Sequence, residues 1–283
     1  MSNQAWLNAQ AVCDARIQDR GLMYGDGFFT TMLCYQQRLT NWSAHWHRLH
    51  TSAQRLGFPA LDQQQVLSQL APALAESEES AVIKLVITRG QGSGYAPPTA
   101  ISYHDLNFIV VRSPAPAYSH TSRSGLKLIL CKTPVSSNPV LAGIKHLNRL
   151  DNVLARAEVV KAGADEGVML DAAGLLVSGT QSNLVLVKGK HLMTPRLDSA
   201  GVSGTCLASL PQALKQAGFG YQWQQAQLTL ADLDQADAAF MCNAVRGVQA
   251  VQSFQSRNFN LKLIQPINQA WLNYLQNDYL LFS

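Results

Sequence analysis

Residues 141–158, LAGIKHLNRLDNVLARAE, place a lysine two positions after a glycine. An amine such as that of Lys145 can form a Schiff base with a carbonyl and later act as a base, provided that a cleft depresses its pKa. A carbonyl compound that carries a phosphate would also need an anion site, and three stretches could supply one. In AGVSGTCLASL, Gly201, Gly204 and Thr205 stand at the start of a helix with no acidic residue in its first turn, where free N–H groups and the helix dipole suit a phosphate. MCNAVRGV ends a strand at Asn243, whose side chain or neighbouring amides could complete the cradle. Arg48, in HWHRLHTSAQRLG, offers a planar fork that matches phosphate oxygens. Each has a plainer reading: a solvated lysine, a glycine loop with a threonine cap, a turn and a surface arginine.

Two further clusters are weaker. RGQGSGY at 89–95 follows a strand, but APPTA comes next where a dinucleotide-binding fingerprint needs a helix. The stretch reads as a loop at a cleft from which Arg89 and Tyr95 face a ligand. His45, His47 and His50 share one helix, yet positions 45 and 47 point apart on it, so no metal site is expected.

The elements that must position these residues alternate between two periods. DRGLMYGDGFFTTMLCYQQRLTNW reads as strands separated by glycine turns. Trp42, Trp46, Leu49, Ala53 and Leu56 then recur at helical spacing, with Gly57 and Pro59 as the stop. AVIKLVITRG and LNFIVVRS are two strands, and SPAPAYSHTSRSG at 113–125 has no periodicity. LKLILCK opens the second half as a strand. The spacing after Gly143 predicts a helix with Leu147, Leu150, Leu154 and Ala157 along its apolar side and Lys145, Asn148, Arg149, Asn152 and Arg156 on another. EGVMLDAAGLLVSGTQSNLVLVKGKHLMTP follows as short strands turned at DAAG and KGK. A helix from about Gly204 to Ala217 and a single strand, AAFMCNAVRGVQAV, complete the pattern. These runs predict an α+β protein with an N-terminal α+β domain at 1–113, a linker at 114–120, a C-terminal α+β domain at 121–283 and a cleft between them.

Composition bounds the rest. A chain of 283 residues can bury two apolar interiors without metal or disulfide. Apolar residues make up 47% and charged ones 14%, which leaves little charge to cover a monomer and predicts a homodimer. Five scattered cysteines without a C-x-x-C pair argue against disulfides and zinc and for a reducing cytoplasm. A net charge of +4 from scattered lysines and arginines excludes a nucleic-acid footprint. No apolar stretch is long enough to span a bilayer, and the N-terminus lacks an export signal, so neither membrane anchoring nor export is expected.

Taken together, these residues resemble the fold-type IV pyridoxal-phosphate (PLP) enzymes, two-domain proteins like D-amino-acid aminotransferase with the cofactor in the interdomain cleft. DRGLMYGDGFFTT is similar to the family's D-R-G-x-x-x-G-D-G motif and HWHRLHTSAQRL to its H-x-x-R-L-x-x-S-A motif, and GADEGVMLDAAG, SNLVLV and AGVSGT resemble later blocks. Within the family, LAGIKHLNRLDNVLAR and the paired Thr30 and Thr31 resemble 4-amino-4-deoxychorismate lyases; branched-chain and D-amino-acid aminotransferases are the alternative. The resemblance implies that Lys145 holds PLP covalently, that Arg48, Gly204, Thr205 and Asn243 bind its phosphate, and that Thr31 assists the leaving group. It implies a cofactor-dependent lyase that forms 4-aminobenzoate and pyruvate toward folate, with Arg89, Tyr95 and Asn148 meeting the substrate's carboxylates. The chain departs from the family pattern at Ser178, five residues before Asn183, where a glutamate usually meets the pyridine nitrogen. A serine does not hold that nitrogen protonated, so the electron sink weakens, which favours elimination over transamination.

Overall fold

The computed structural model describes residues 5–7, 10–12, 15–36, 38–75, 80–116 and 125–281. Strands β1 (Ala5–Leu7) and β2 (Gln10–Val12) form a ribbon, followed by helix α1 (Arg20–Tyr24), β3 (Gly27–Tyr35), β4 (Arg38–Thr40), α2 (Trp42–Arg55), α3 (Gln63–Ala75), β5 (Ala81–Thr88) and β6 (Asn107–Pro114). Next come β7 (Leu126–Leu130), α4 (Leu150–Lys161), β8 (Glu166–Leu170), β9 (Leu176–Gly179), β10 (Asn183–Lys188) and β11 (His191–Pro195). The chain continues as α5 (Thr205–Gln216), β12 (Gln222–Ala226), α6 (Leu230–Gln235), β13 (Ala238–Asn243), β14 (Gly247–Phe254), β15 (Arg257–Asn258), α7 (Gln265–Leu275) and β16 (Tyr279–Leu281).

Two sheets organise these elements. The first is antiparallel in the order β16-β4-β3-β5-β6, so the last strand of the chain returns to the sheet built by the first half. The second runs β12-β11-β10-β13-β14-β7-β8-β9, with β15 beside β14. β3 shows how the pattern drives burial: Phe28, Thr30, Met32 and Cys34 face inward, while Phe29, Thr31 and Leu33 face the other side. The inward set packs with Leu49 and Ala53 of α2 and Leu70 of α3 into one core. The tryptophan-bearing stripe of α2 is thus where its spacing puts it, and the helix stops at Gly57, which takes φ +64. A second core lies between the larger sheet and α5 and α7, around Phe240 and Trp271; a third, around Leu184, Met241 and Phe254, lies against α6.

Three local readings change. DRGLMYG contains a turn of helix, because the Asp19 carboxylate caps Gly21 and Leu22 and Gly25 closes it at φ +67. AAFMCNAVRGVQAV is a hairpin of β13 and β14, because Asn243 Oδ1 accepts from the backbone of Val245 and Arg246 and turns the chain. The helix expected after Gly143 begins only at Leu150, and Leu150 and Leu154 are 68% and 51% exposed while Ala155 and Val159 are buried. Of the linker expected at 114–120, residues 117–120 lie outside the described residues.

Candidate active site

Lys145 sits on a segment bridged to β3 on one flank and to the loop before α5 on the other. Its carbonyl accepts from Phe29 N at 2.9 Å and Leu147 N donates to Gly27 O at 3.0 Å, which adds residues 145–147 to the end of β3. On the other flank Gly143 N donates to Gly201 O and Ser203 N donates to Gly143 O, both at 3.0 Å. Gly143 and Gly201 take the positive φ values, +81 and +87, that this pairing needs. These bonds commit the backbone to bridge pairing, which is why the helical spacing failed here. Alternation then sends Ile144 into the first core and places Lys145 Nζ 4.6 Å from the centroid of Phe29.

The amine is surrounded by cations. Burial, foremost, and then Arg48, Arg149 and Lys84 bring the Lys145 pKa down to about 7. Burial alone lowers Arg48 to about 10; its Nη2 donates to Ser203 O at 2.8 Å and its Nη1 to Thr30 Oγ1 at 3.4 Å. Arg48 Nε is buried and has no hydrogen-bond partner among the described residues. Converging cations with an unsatisfied donor make a site for an anion.

Helix α5 supplies the rest of the cup. Gly204 is its N-cap, Thr205 its first residue, and its first turn holds no acid. A Cβ at position 204 would lie 1.9 Å from Asn183 Oδ1, so a side chain there would have to displace the Asn183 amide, which donates to Val202 O at 2.9 Å and pins the loop. Helix α2 docks on this end through one side: Asn41 Nδ2 donates to Thr205 O at 3.2 Å, His45 Nε2 lies 3.4 Å from Thr205 Oγ1, and Arg48 reaches the loop at Ser203. Asn41, His45 and Arg48 recur at helical spacing beside the tryptophan stripe. That pattern was readable in the sequence, but the histidines were weighed there only as metal ligands. Among the described residues no three His, Cys, Asp or Glu side chains gather around a metal-sized site.

The other expected residues fall in two places. Thr31 shares the outward face of β3 with Phe29 and lies opposite Lys84, whose Nζ is 4.8 Å from the Phe29 centroid. Asn243 spends its side-chain oxygen on the β13–β14 turn, and its amide reaches Gln181 O at 3.5 Å. Ser178 is buried and donates to Gly179 O at 2.9 Å. A carboxylate stands on the adjacent strand, but Glu166 accepts from Gly167 N, Thr180 N, Gln181 N and the hydroxyls of Thr180 and Ser182, so its oxygens are taken. Arg89, Tyr95 and Asn148 gather instead on the His146 side of the Lys145 segment, around a cavity of about 300 Å³. There Arg89 is a strut: it holds Asp26, Leu56 O and Gly57 O and stacks on Phe58. Tyr95 is 89% exposed, and Asn148 Nδ2 donates to Gly25 O at 3.4 Å.

The pattern of the amino-transferase class IV family matches residues 27–254, which include Lys145, Arg48 and the whole anion cup. The chain belongs to the class IV amino-transferase family. It is 32% identical to an aminodeoxychorismate lyase of Vibrio harveyi over 89% of its own length and 91% of the relative's. The structure of 4-amino-4-deoxychorismate lyase from Pseudomonas aeruginosa superposes with a TM-score of 0.83 at 34% identity, covering 96% of this chain and 98% of that one. A hypothetical aminotransferase from Mycobacterium tuberculosis in its PLP-bound form, 20% identical, shares the fold with a TM-score of 0.78 over 96% of both chains.

Proposed function

We propose that the protein is a PLP-dependent lyase that converts 4-amino-4-deoxychorismate to 4-aminobenzoate and pyruvate. The observation that carries this reading is a lysine amine brought to about 7, set beside a helix N-terminus and an unsatisfied arginine, in a chain about one-third identical to two such lyases. The residues fit the cofactor: Arg48, Thr205 and the first amides of α5 would hold its phosphate and Lys145 its aldehyde carbon. When bound, PLP supplies an electron sink next to the amine-bearing carbon. The neutral Nζ of Lys145 would take the proton from that ring carbon of the substrate. The C–O bond to the enolpyruvyl group then breaks with its electron pair on oxygen, and the ring becomes aromatic. Thr31, on the face shared with Phe29, donates a hydrogen bond to the departing oxygen.

Ser178 fits this chemistry. With Glu166 engaged by the 180–182 turn, neither side chain holds the pyridine nitrogen protonated, and elimination asks less of the sink than transamination. The protein acts as a cytoplasmic homodimer of units at 1–113 and 121–283, with Tyr279–Leu281 of the second unit completing the sheet of the first. Buried thiols at Cys131, Cys206 and Cys242 suit a reducing compartment. Leu150, Val153 and Val160, each more than 60% exposed on α4, favour a second copy. No helix among the described residues is long and apolar enough to cross a membrane.

The test is a product assay. PLP-loaded protein given aminodeoxychorismate should form 4-aminobenzoate and pyruvate in equal amounts, and Lys145→Ala should form neither. Exchange between an amino acid and a keto acid without either product would make the protein an aminotransferase.

A further inference from the structure

We propose that His45 is a positioning residue that fixes the direction of the Thr205 hydroxyl, so that its proton is presented to the phosphate of the bound cofactor. The inference rests on the PLP reading above and concerns three residues that are all closed to solvent: Thr30, His45 and Thr205, exposed by 0%, 1% and 2%.

The order of donors proposed is set at the phosphate end, where the ligand can only accept, and the Arg48 end is compatible with it. Thr30 Oγ1 lies 2.6 Å from His45 Nδ1 and receives Arg48 Nη1 at 3.4 Å. A guanidinium can only donate, so one lone pair of the Thr30 oxygen accepts from Arg48, and in the arrangement proposed its single proton goes to His45 Nδ1. Burial, foremost, with Arg48 and Lys145 nearby, holds His45 well below its usual range, so the imidazole is neutral. A neutral ring that accepts at Nδ1 carries its proton on Nε2, which lies 3.4 Å from Thr205 Oγ1 and donates to it. Thr205 is then left to donate outward at the first residue of α5. In the opposite tautomer Thr205 would donate to His45 and turn its lone pairs toward the phosphate, which repels. The arginine therefore reaches the phosphate site twice, directly and through a chain of two hydroxyls and an imidazole.

The experiment compares dissociation constants for PLP and for pyridoxal, which lacks the phosphate, in the wild-type protein and in His45→Gln, His45→Asn and Thr205→Val. A glutamine amide can replace the Nε2 donor; an asparagine amide reaches only the Thr30 end. His45→Asn should weaken PLP roughly tenfold, the worth of one charge-assisted hydrogen bond, and leave pyridoxal unchanged, while His45→Gln retains most of the affinity. In a Thr205→Val background His45→Asn should cost nothing further. Equal weakening of both ligands, or of neither, overturns the inference, as does a further loss in that background. Nitrogen NMR of the wild-type imidazole gives a second reading that needs no variant: a proton on Nδ1 also overturns it. Failure of wild-type protein to take up PLP at all would instead overturn the cofactor reading itself.

Discussion

A lysine amine loses its proton more readily when it is desolvated and faced by other cations, and Lys145 meets both conditions. The consequence can be measured on cofactor-free protein. Uptake of PLP, followed by absorbance, should rise as pH passes about 7, where the Lys145 amine becomes neutral, and should level off well before the ordinary lysine value of 10.5. A rate that keeps climbing toward that value would place the amine in water. At this scale the sequence was most legible: lysine, arginine, threonine and glycine each offer chemistry that their type alone announces. Gly204 was legible as the residue before a helix, whereas its crowding by Asn183 is visible only in the fold. His45 was legible as a titratable group but not as a link between hydroxyls, because Thr30 and Thr205 lie far from it in the chain.

Helix α4 is the element whose sequence and setting disagree most. A helix of a monomer turns its large apolar side chains inward, yet α4 buries only Ala155 and Val159 and presents Leu150 at 68%, Val153 at 61% and Val160 at 67% exposure. Its inner side is fixed by Glu158, which accepts from the backbone of Lys132 and Thr133, and by Asn152, which donates to Thr180 O at 3.0 Å. The outer side should meet a second copy. Leu150→Asp combined with Val153→Asp should give a monomer in sedimentation while the wild-type protein sediments as a dimer, and far-UV circular dichroism should be unchanged. A wild-type monomer would remove this argument.

At the scale of the whole molecule, buried His45 and partly buried His146 are both held below the ordinary histidine value. Burial first, and then Arg48 and Lys145, lower His45; burial first, and then Arg149, lower His146 to about 4, and Asp151 opposes this only in part. In both cases the unfolded chain, with its ordinary value of 6.5, binds protons that the folded protein refuses. The unfolded state therefore holds more protons between the folded values and 6.5, and stability rises with pH across that window. Glu158 and Asp232, lowered mainly by hydrogen bonds from the threonines beside them, act in the same direction at lower pH. Denaturant titrations should show a midpoint that falls steadily from pH 6.5 toward 4, and a flat midpoint would mean that the two imidazoles are solvated.

The sequence by itself determined the residue types of the site, the α+β class and the elements whose period is unambiguous, such as α2 and β3, because side-chain chemistry and local periodicity are carried by neighbours in the chain. It also carried the departure at Ser178. Only the tertiary structure decided where Lys145 points. Its segment is held by Phe29 and Gly27 on one flank and by Gly201 and Ser203 on the other, partners distant in sequence, and those hydrogen bonds override the helical spacing that residues 144–157 display. The same holds for Arg89, whose charge invited a ligand until Asp26 and two backbone carbonyls were found to occupy it. A charge declares what it can bind; which partner reaches it first is settled by the fold.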